Sequence, residues 1–213
     1  MIIYNPLDGH PLAYSIKSQA RHCFLMTRLG DPMPPLVAEI RAAVERCCQP
    51  FGYVVIDAQT TVTGRDILLK IWCLIASVPL SVGILHEDIP SSTRANIFYE
   101  LGVAQALGKE TVIVKSPSMK IPSDLIRSEY VTFDDDFPAN FTAYLESIHV
   151  QAVYYELVAD QLDRNPILAL DYLKRAFLIK GDEQLKNKAR NILAAAGLEE
   201  RAANSVELIA SAF

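Results

Sequence analysis

From residue 21 onward, short β-branched or aliphatic runs alternate with longer segments whose apolar residues recur at helical spacing. That alternation constrains the fold more than any other feature, because it is the pattern of βαβ units, which place helices on the faces of a parallel sheet. Five runs read as strands, over 21–27, 53–57, 80–85, 110–115 and 130–133. Between the first two, Leu36, Ile40, Val44 and Cys47 make an apolar stripe, and Pro34 and Pro35 suit a first helical turn, where a missing N–H removes no bond. Between the next two, Ile67, Leu68, Ile71, Leu74 and Ile75 share one face of a helix that stops before Pro79. A third helix is expected over 96–107, with Asn96 as its N-cap, Gly108 at C′, and Gly102 letting the helix sit near a neighbouring strand. Five strands with short crossovers imply a flavodoxin-like, doubly wound, five-stranded parallel sheet.

A different regime begins near Asp134. The acidic run 134–136 reads as a solvated loop and helix flank rather than a metal site. After Pro138, the residues Phe141, Leu145, Ile148, Ala152, Tyr155, Ala159 and Leu162 repeat at helical spacing. Such a helix would be about 33 Å long, which is more than five short strands cover. Asn165-Pro166, Gly181-Asp182 and Gly197 then punctuate three shorter helices, with stripes such as Leu185, Ala189, Ile192, Ala196 and Val206, Ile209, Phe213. The organisation expected is an N-terminal extension over 1–20, an α/β nucleotide-binding-like domain over 21–137 and an all-helical C-terminal extension over 138–213. The stretch 169–182 resembles the second helix of a tetratricopeptide repeat, but it stands alone and reads as part of a helical hairpin. The long stripe would need covering, and a homodimer joined through the helical tail is the expected way to do it, with a tail folded back over its own sheet as the alternative.

Composition removes several classes. A net charge of −5 offers no basic surface for duplex nucleic acid. The longest apolar stretch, 71–85, is broken by Ser77, Pro79 and Ser81 and falls short of a membrane span. No basic and apolar leader opens the chain, so a cytoplasmic protein is expected. Cys23, Cys47, Cys48 and Cys73 lack CxxC spacing and the four histidines lack HxxxH pairing, so reduced thiols and no metal are expected.

In an open α/β sheet, ligands bind beyond the carboxyl ends of the strands, near the point where strand order reverses. That rule selects Thr27 and Arg28 after the first strand, Asp57 after the second, His86, Glu87 and Asp88 after the third, and Asn96, Tyr99 and Glu100 at the start of the third helix. No GxGxxG follows the first strand and no GxxxxGK[ST] occurs, which excludes dinucleotide dehydrogenases and P-loop enzymes. A response-regulator receiver would place acidic residues where this chain has Thr27-Arg28 and Leu85-His86-Glu87.

The segments Ser81-Val-Gly-Ile-Leu-His-Glu-Asp-Ile-Pro and Asn96-Ile-Phe-Tyr-Glu-Leu-Gly-Val-Ala-Gln-Ala-Leu-Gly-Lys, with Ile121-Pro-Ser-Asp-Leu125 further on, resemble the nucleoside 2-deoxyribosyltransferase-like and bacterial TIR-like families. The likeness spans about 21–148 and rests on an N-x-x-Y-E-L-G pattern. It implies an N-glycosidase or deoxyribosyltransferase acting on a nucleoside, a nucleotide or NAD, with NAD as substrate rather than cofactor. It also implies Glu100 as nucleophile or charge stabiliser at the anomeric carbon. A carboxylate suits that task because breaking an N-glycosidic bond builds positive charge on the sugar. Asp57 and Glu87 are the expected acids for the departing base; Thr27, Arg28, His86, Asn96 and Tyr99 are the expected substrate contacts, with Arg28 for a phosphate. The loops Met26-Thr-Arg-Leu-Gly30 and Leu85-His-Glu-Asp-Ile89 depart from the family pattern. The alternative expectation is a non-catalytic nucleotide-sensing or protein-interaction module on the same fold.

Overall fold

The computed structural model describes residues 4–12, 16–30, 32–59, 66–122 and 129–195. Residues 123–125 of the Ile-Pro-Ser-Asp-Leu segment and the stripe Val206, Ile209, Phe213 lie outside them, as do Ala196 and Gly197. The chain divides into two compact units: 22–146, and 1–21 together with 147–213.

The first unit is a five-stranded, wholly parallel sheet in the order β2-β1-β3-β4-β5. Its strands are β1 (His22–Met26), β2 (Val54–Ile56), β3 (Leu80–Leu85), β4 (Glu110–Lys115) and β5 (Tyr130–Thr132). All six residues of β3 are buried, as expected of a central parallel strand with both faces covered. Helix α1 (Pro35–Cys48) leads from β1 to the edge strand β2, whereas α2 (Ile67–Ser77) and α3 (Ser91–Ala106) lead the other way across the sheet. Right-handed crossovers therefore place α1 on one face and α2 with α3 on the other. The reversal of direction falls between β1 and β3.

The expected sheet and its five strands are present, with differences of detail. In α1 the buried face is Val37, Ile40, Ala43, Val44 and Cys48, while Leu36 is exposed. Both that face and the expected one satisfy helical spacing, and only packing on the sheet chooses between them. Ile67 is likewise exposed because it opens α2, whereas Leu74 and Ile75 are buried. The larger correction is in α3, which begins at Ser91 rather than Asn96. Pro90 (φ −53°, ψ 145°) sets the extended entry, and no side chain caps the helix. Gly108 takes the left-handed conformation (φ +66°) expected just past its end.

Gly102 does not serve a close approach, since a Cβ there would meet nothing within 4 Å. Gly83 in β3 does so instead. A Cβ on Gly83 would stand 2.8 Å from Leu101 Cδ1 and 3.2 Å from Ile97 Cγ2, so the missing side chain is what allows α3 to lie against the strand.

The helical unit holds the second part of α4 (Phe137–Asp160), then α5 (Pro166–Lys180) and α6 (Glu183–Ala195). Asn165 caps α5 by accepting the Leu168 N–H at 3.2 Å, Pro166 follows at N1, and Gly181 ends the helix at φ +64°. The N-terminal segment is tied to α5. Arg21 donates its backbone N–H to Leu178 O at 2.8 Å and its Nε to Lys180 O at 2.7 Å. Of the expected long stripe, Phe141, Leu145, Ile148, Ala152, Tyr155 and Ala159 are buried and Leu162 is half-buried. Among the described residues no helix is long and apolar enough to cross a membrane.

Candidate functional site

Strands β1 and β3 pair with Met26 opposite Gly83, so the loops that leave them start side by side at the carboxyl edge, where strand order reverses. Thr27 and Arg28 come from the first loop, His86 and Glu87 from the second. Thr27 is 7% exposed, and its hydroxyl has no hydrogen-bond partner among the described residues. A buried hydroxyl left unsatisfied is uncommon and calls for an explanation. Arg28 is half-buried.

The two carboxylates expected to serve as acids have other commitments. Asp57 is buried, and its Oδ2 accepts from Arg41 of α1 at 2.5 Å while its Oδ1 accepts the Gln59 N–H at 2.8 Å. It is therefore turned to the α1 face, opposite the face that carries α3. Glu87 accepts the Ser116 hydroxyl and the Ser118 hydroxyl, each at 2.6 Å. Those two bonds, Ser116 first, hold its carboxyl down to about 2, so at neutral pH it has no proton to give. The two expected acids are thus an ion-paired carboxylate at Asp57 and a doubly hydrogen-bonded one at Glu87. His86 is buried, and its Nδ1 accepts the Asp88 N–H at 3.1 Å, which puts the proton of the neutral ring on Nε2, 3.7 Å from Glu87 Oε2.

Glu100 stands in a contrasting environment. Because α3 starts at Ser91, Glu100 is the tenth residue of a sixteen-residue helix, beyond the first turn in which the helix dipole acts. Its position comes from the sheet. Leu101 and Ile97 lie over Gly83, Gly83 is opposite Met26, and the helical side chain at 100 leans toward the helix N-terminus, which is the carboxyl edge where Thr27 sits. Glu100 is partly buried and no described residue pairs with it; desolvation alone pushes its carboxyl up to about 7. Asn96 is exposed, one turn nearer the edge. Tyr99 is 47% exposed, and its hydroxyl accepts the Trp72 Nε1–H of α2 at 3.2 Å.

The structure thus gathers Thr27, Arg28, His86 and Glu87 at one edge, with Glu100 level with the end of β1 and Asp57 facing away. It also shows residues that the sequence reading did not select. Ser116 and Ser118 follow β4 at the same carboxyl edge, so the rule that selected His86 reaches them too. Trp72, Arg41 and Gly83 act through a neighbouring element, and no local pattern marks them.

Two solved structures align with part of the chain at low identity. A 2-deoxyribosyltransferase from Bacillus psychrosaccharolyticus aligns over 57% of this chain and 90% of its own length, with 14% identity and a TM-score of 0.42. A CMP N-glycosidase from Clostridium botulinum aligns over 59% of this chain and 97% of its own, with 14% identity and a TM-score of 0.39. No family model matches the chain, and no curated protein matches it.

Proposed function

We propose that the α/β unit cleaves, or transfers from, the N-glycosidic bond of a nucleoside, a nucleotide or NAD, with Glu100 as the group that meets the anomeric carbon. The observation that carries this reading is Glu100 itself, a carboxyl without a compensating partner, raised to about 7, at the level of an unsatisfied Thr27 hydroxyl. A protein keeps an uncompensated, partly buried carboxyl at a cost in stability, and perturbed groups of this kind cluster at functional sites.

In the ionised form, Glu100 attacks the anomeric carbon from the face opposite the base, and the carbon–nitrogen bond breaks with its electrons leaving on the base. Water or an acceptor base then displaces the carboxylate from the sugar. With Asp57 and Glu87 held by other partners, the Nε2–H of His86 is assigned to hydrogen-bond the departing base. Arg28 is assigned to a phosphate, and Thr27, Asn96 and Tyr99 to the sugar and base. A second reading, a nucleotide-binding module without turnover, is favoured by that same commitment of Asp57 and Glu87.

One experiment separates the two. The chain is incubated with deoxynucleosides, nucleoside monophosphates and NAD, and free base is followed by chromatography. Base released by wild type and lost in Glu100→Gln supports the enzyme. Micromolar binding by calorimetry with no base released supports the module.

A further inference from the structure

Helices α2 and α3 both start at the carboxyl edge of the sheet and lie side by side on the same face of it. A hydrogen bond joins their side chains: Trp72, the sixth residue of α2, donates its Nε1–H to the hydroxyl of Tyr99, the ninth residue of α3, at 3.2 Å. An indole nitrogen can only donate, so the phenol oxygen is the acceptor here and the phenol keeps its own proton to give elsewhere. Among the described residues nothing accepts that proton. Trp72 is half-buried, whereas Tyr99 remains open to solvent. Side chains on both helices lean toward their helix N-termini, which for α2 and α3 means toward the carboxyl edge. Tyr99 directly precedes Glu100.

We infer that Trp72 is a positioning residue for the site proposed above: it fixes the Tyr99 hydroxyl as a hydrogen-bond donor to an acceptor atom, a ring nitrogen or a carbonyl oxygen, on the base of the substrate. The inference rests on the reading of Glu100 as the group at the anomeric carbon, since that reading is what brings a base to this turn of α3. A free phenol turns about its C–O bond and meets a ligand as donor or as acceptor. Once the indole N–H occupies its oxygen, the phenol is set to donate, and accepting one hydrogen bond polarises the hydroxyl and strengthens the bond it gives. The pair therefore selects bases that carry an acceptor at that point over those that carry an amino group there. Trp72 itself touches no substrate in this arrangement and acts through Tyr99.

The test is calorimetric binding of deoxynucleosides, nucleoside monophosphates and NAD to the full chain carrying Glu100→Gln, which leaves them intact. In that background Tyr99→Phe should weaken the best-bound of them about tenfold, and Trp72→Phe, which keeps an aromatic ring and loses the N–H, about threefold. The double variant should bind as Tyr99→Phe does to within about twofold, because Trp72 acts through a hydroxyl that is already gone. A bond that only straps α2 to α3 would leave the affinity unchanged in Trp72→Phe, and that result overturns the inference; so do losses that add. Trp72 is the only tryptophan of the chain, so its fluorescence reads the same contact. Saturating ligand should shift the emission of Glu100→Gln, and the shift should vanish when Tyr99→Phe is added; an emission that ligand leaves unmoved overturns the inference. Far-UV circular dichroism checks that the variants fold, and should Trp72→Phe fail that check, the fluorescence pair decides. The two readings fail separately: Glu100 falls on unchanged base release in Glu100→Gln, Trp72 on unchanged affinity in Trp72→Phe.

Discussion

Glu87 and Glu100 are thirteen residues apart and live under opposite electrostatics. Glu87 stands in the loop after β3, where two serine hydroxyls hold it ionised down to about 2. Glu100 stands in the middle of α3, where burial without a partner raises it to about 7. Hydrogen bonding to the charged form and desolvation of the charged form act in opposite directions, and here each dominates one carboxyl. The difference teaches that the loop supplies a fixed charge, whereas the helix supplies a group that titrates where reactions at neutral pH need one.

The strongest test of that division is the rate of base release. Glu100→Gln keeps the shape and removes the charge, and base release should fall by two to three decades, roughly 3–4 kcal/mol of transition-state stabilisation. For wild type the rate should rise with pH through about 7, the pH at which Glu100 ionises. A pH-independent rate, or an unchanged one in the variant, would show Glu100 to be a bystander.

Stability gives the next largest effect, with the opposite sign. Since the folded pKa of Glu100 is raised above the unfolded value, its contribution is intact below the unfolded pKa and is lost as pH rises through about 7. Glu100→Gln should therefore match wild type near pH 4 and be more stable near pH 8 by about 2 kcal/mol, less than the full shift because the group is only partly buried. Urea unfolding at the two pH values measures it. Equal stabilities at both would mean that the carboxyl is not desolvated.

Arg28→Ala comes third. Nucleotide affinity should drop about tenfold with nucleosides unchanged, the signature of a lost charge-assisted contact to phosphate. Calorimetry with a matched nucleoside and nucleotide reads it, and equal losses for both would remove the phosphate assignment.

The smallest effect concerns Glu87. Replacing Ser116 and Ser118 by alanine should move its titration up toward the ordinary carboxylate range near ~4.3, followed by carbon-13 chemical shifts, while base release changes less than about threefold. A large loss of activity would place Glu87 among the catalytic groups after all.

How much of this was legible in the sequence depends on how far each feature acts along the chain. The strands were readable because a parallel sheet buried on both faces demands short apolar runs, and Leu80–Leu85 has one. The end of α3 was readable because Gly108 is a local stop signal. Its start was not. Asn96 is the better capping residue by chemistry, yet Pro90 sets the entry by its backbone alone, and the five-residue difference moves Glu100 from the first turn to the middle of the helix. The glycine that governs the approach of α3 was sought in the helix and lies in the strand, because close approach depends on residues distant in sequence. Glu87 and Asp57 were legible as acidic residues at strand ends, but the partners that hold each carboxylate are Ser116, Ser118 and Arg41, which no spacing links to them.

The sharing of α4 between the two units sets a rule for anyone who shortens this chain. A fragment ended at residue 137, where the composition changes, would lose Phe141 and Leu145, both fully buried. Side chains of that kind cost about 2–5 kcal/mol each when truncated in a core, a large part of what holds a small domain together. A fragment ended at 146 would keep them on a ten-residue stub of α4, shorter than helices that persist in water unaided. The safer cut for studying base release lies beyond Asp160, so that the helix is inherited whole.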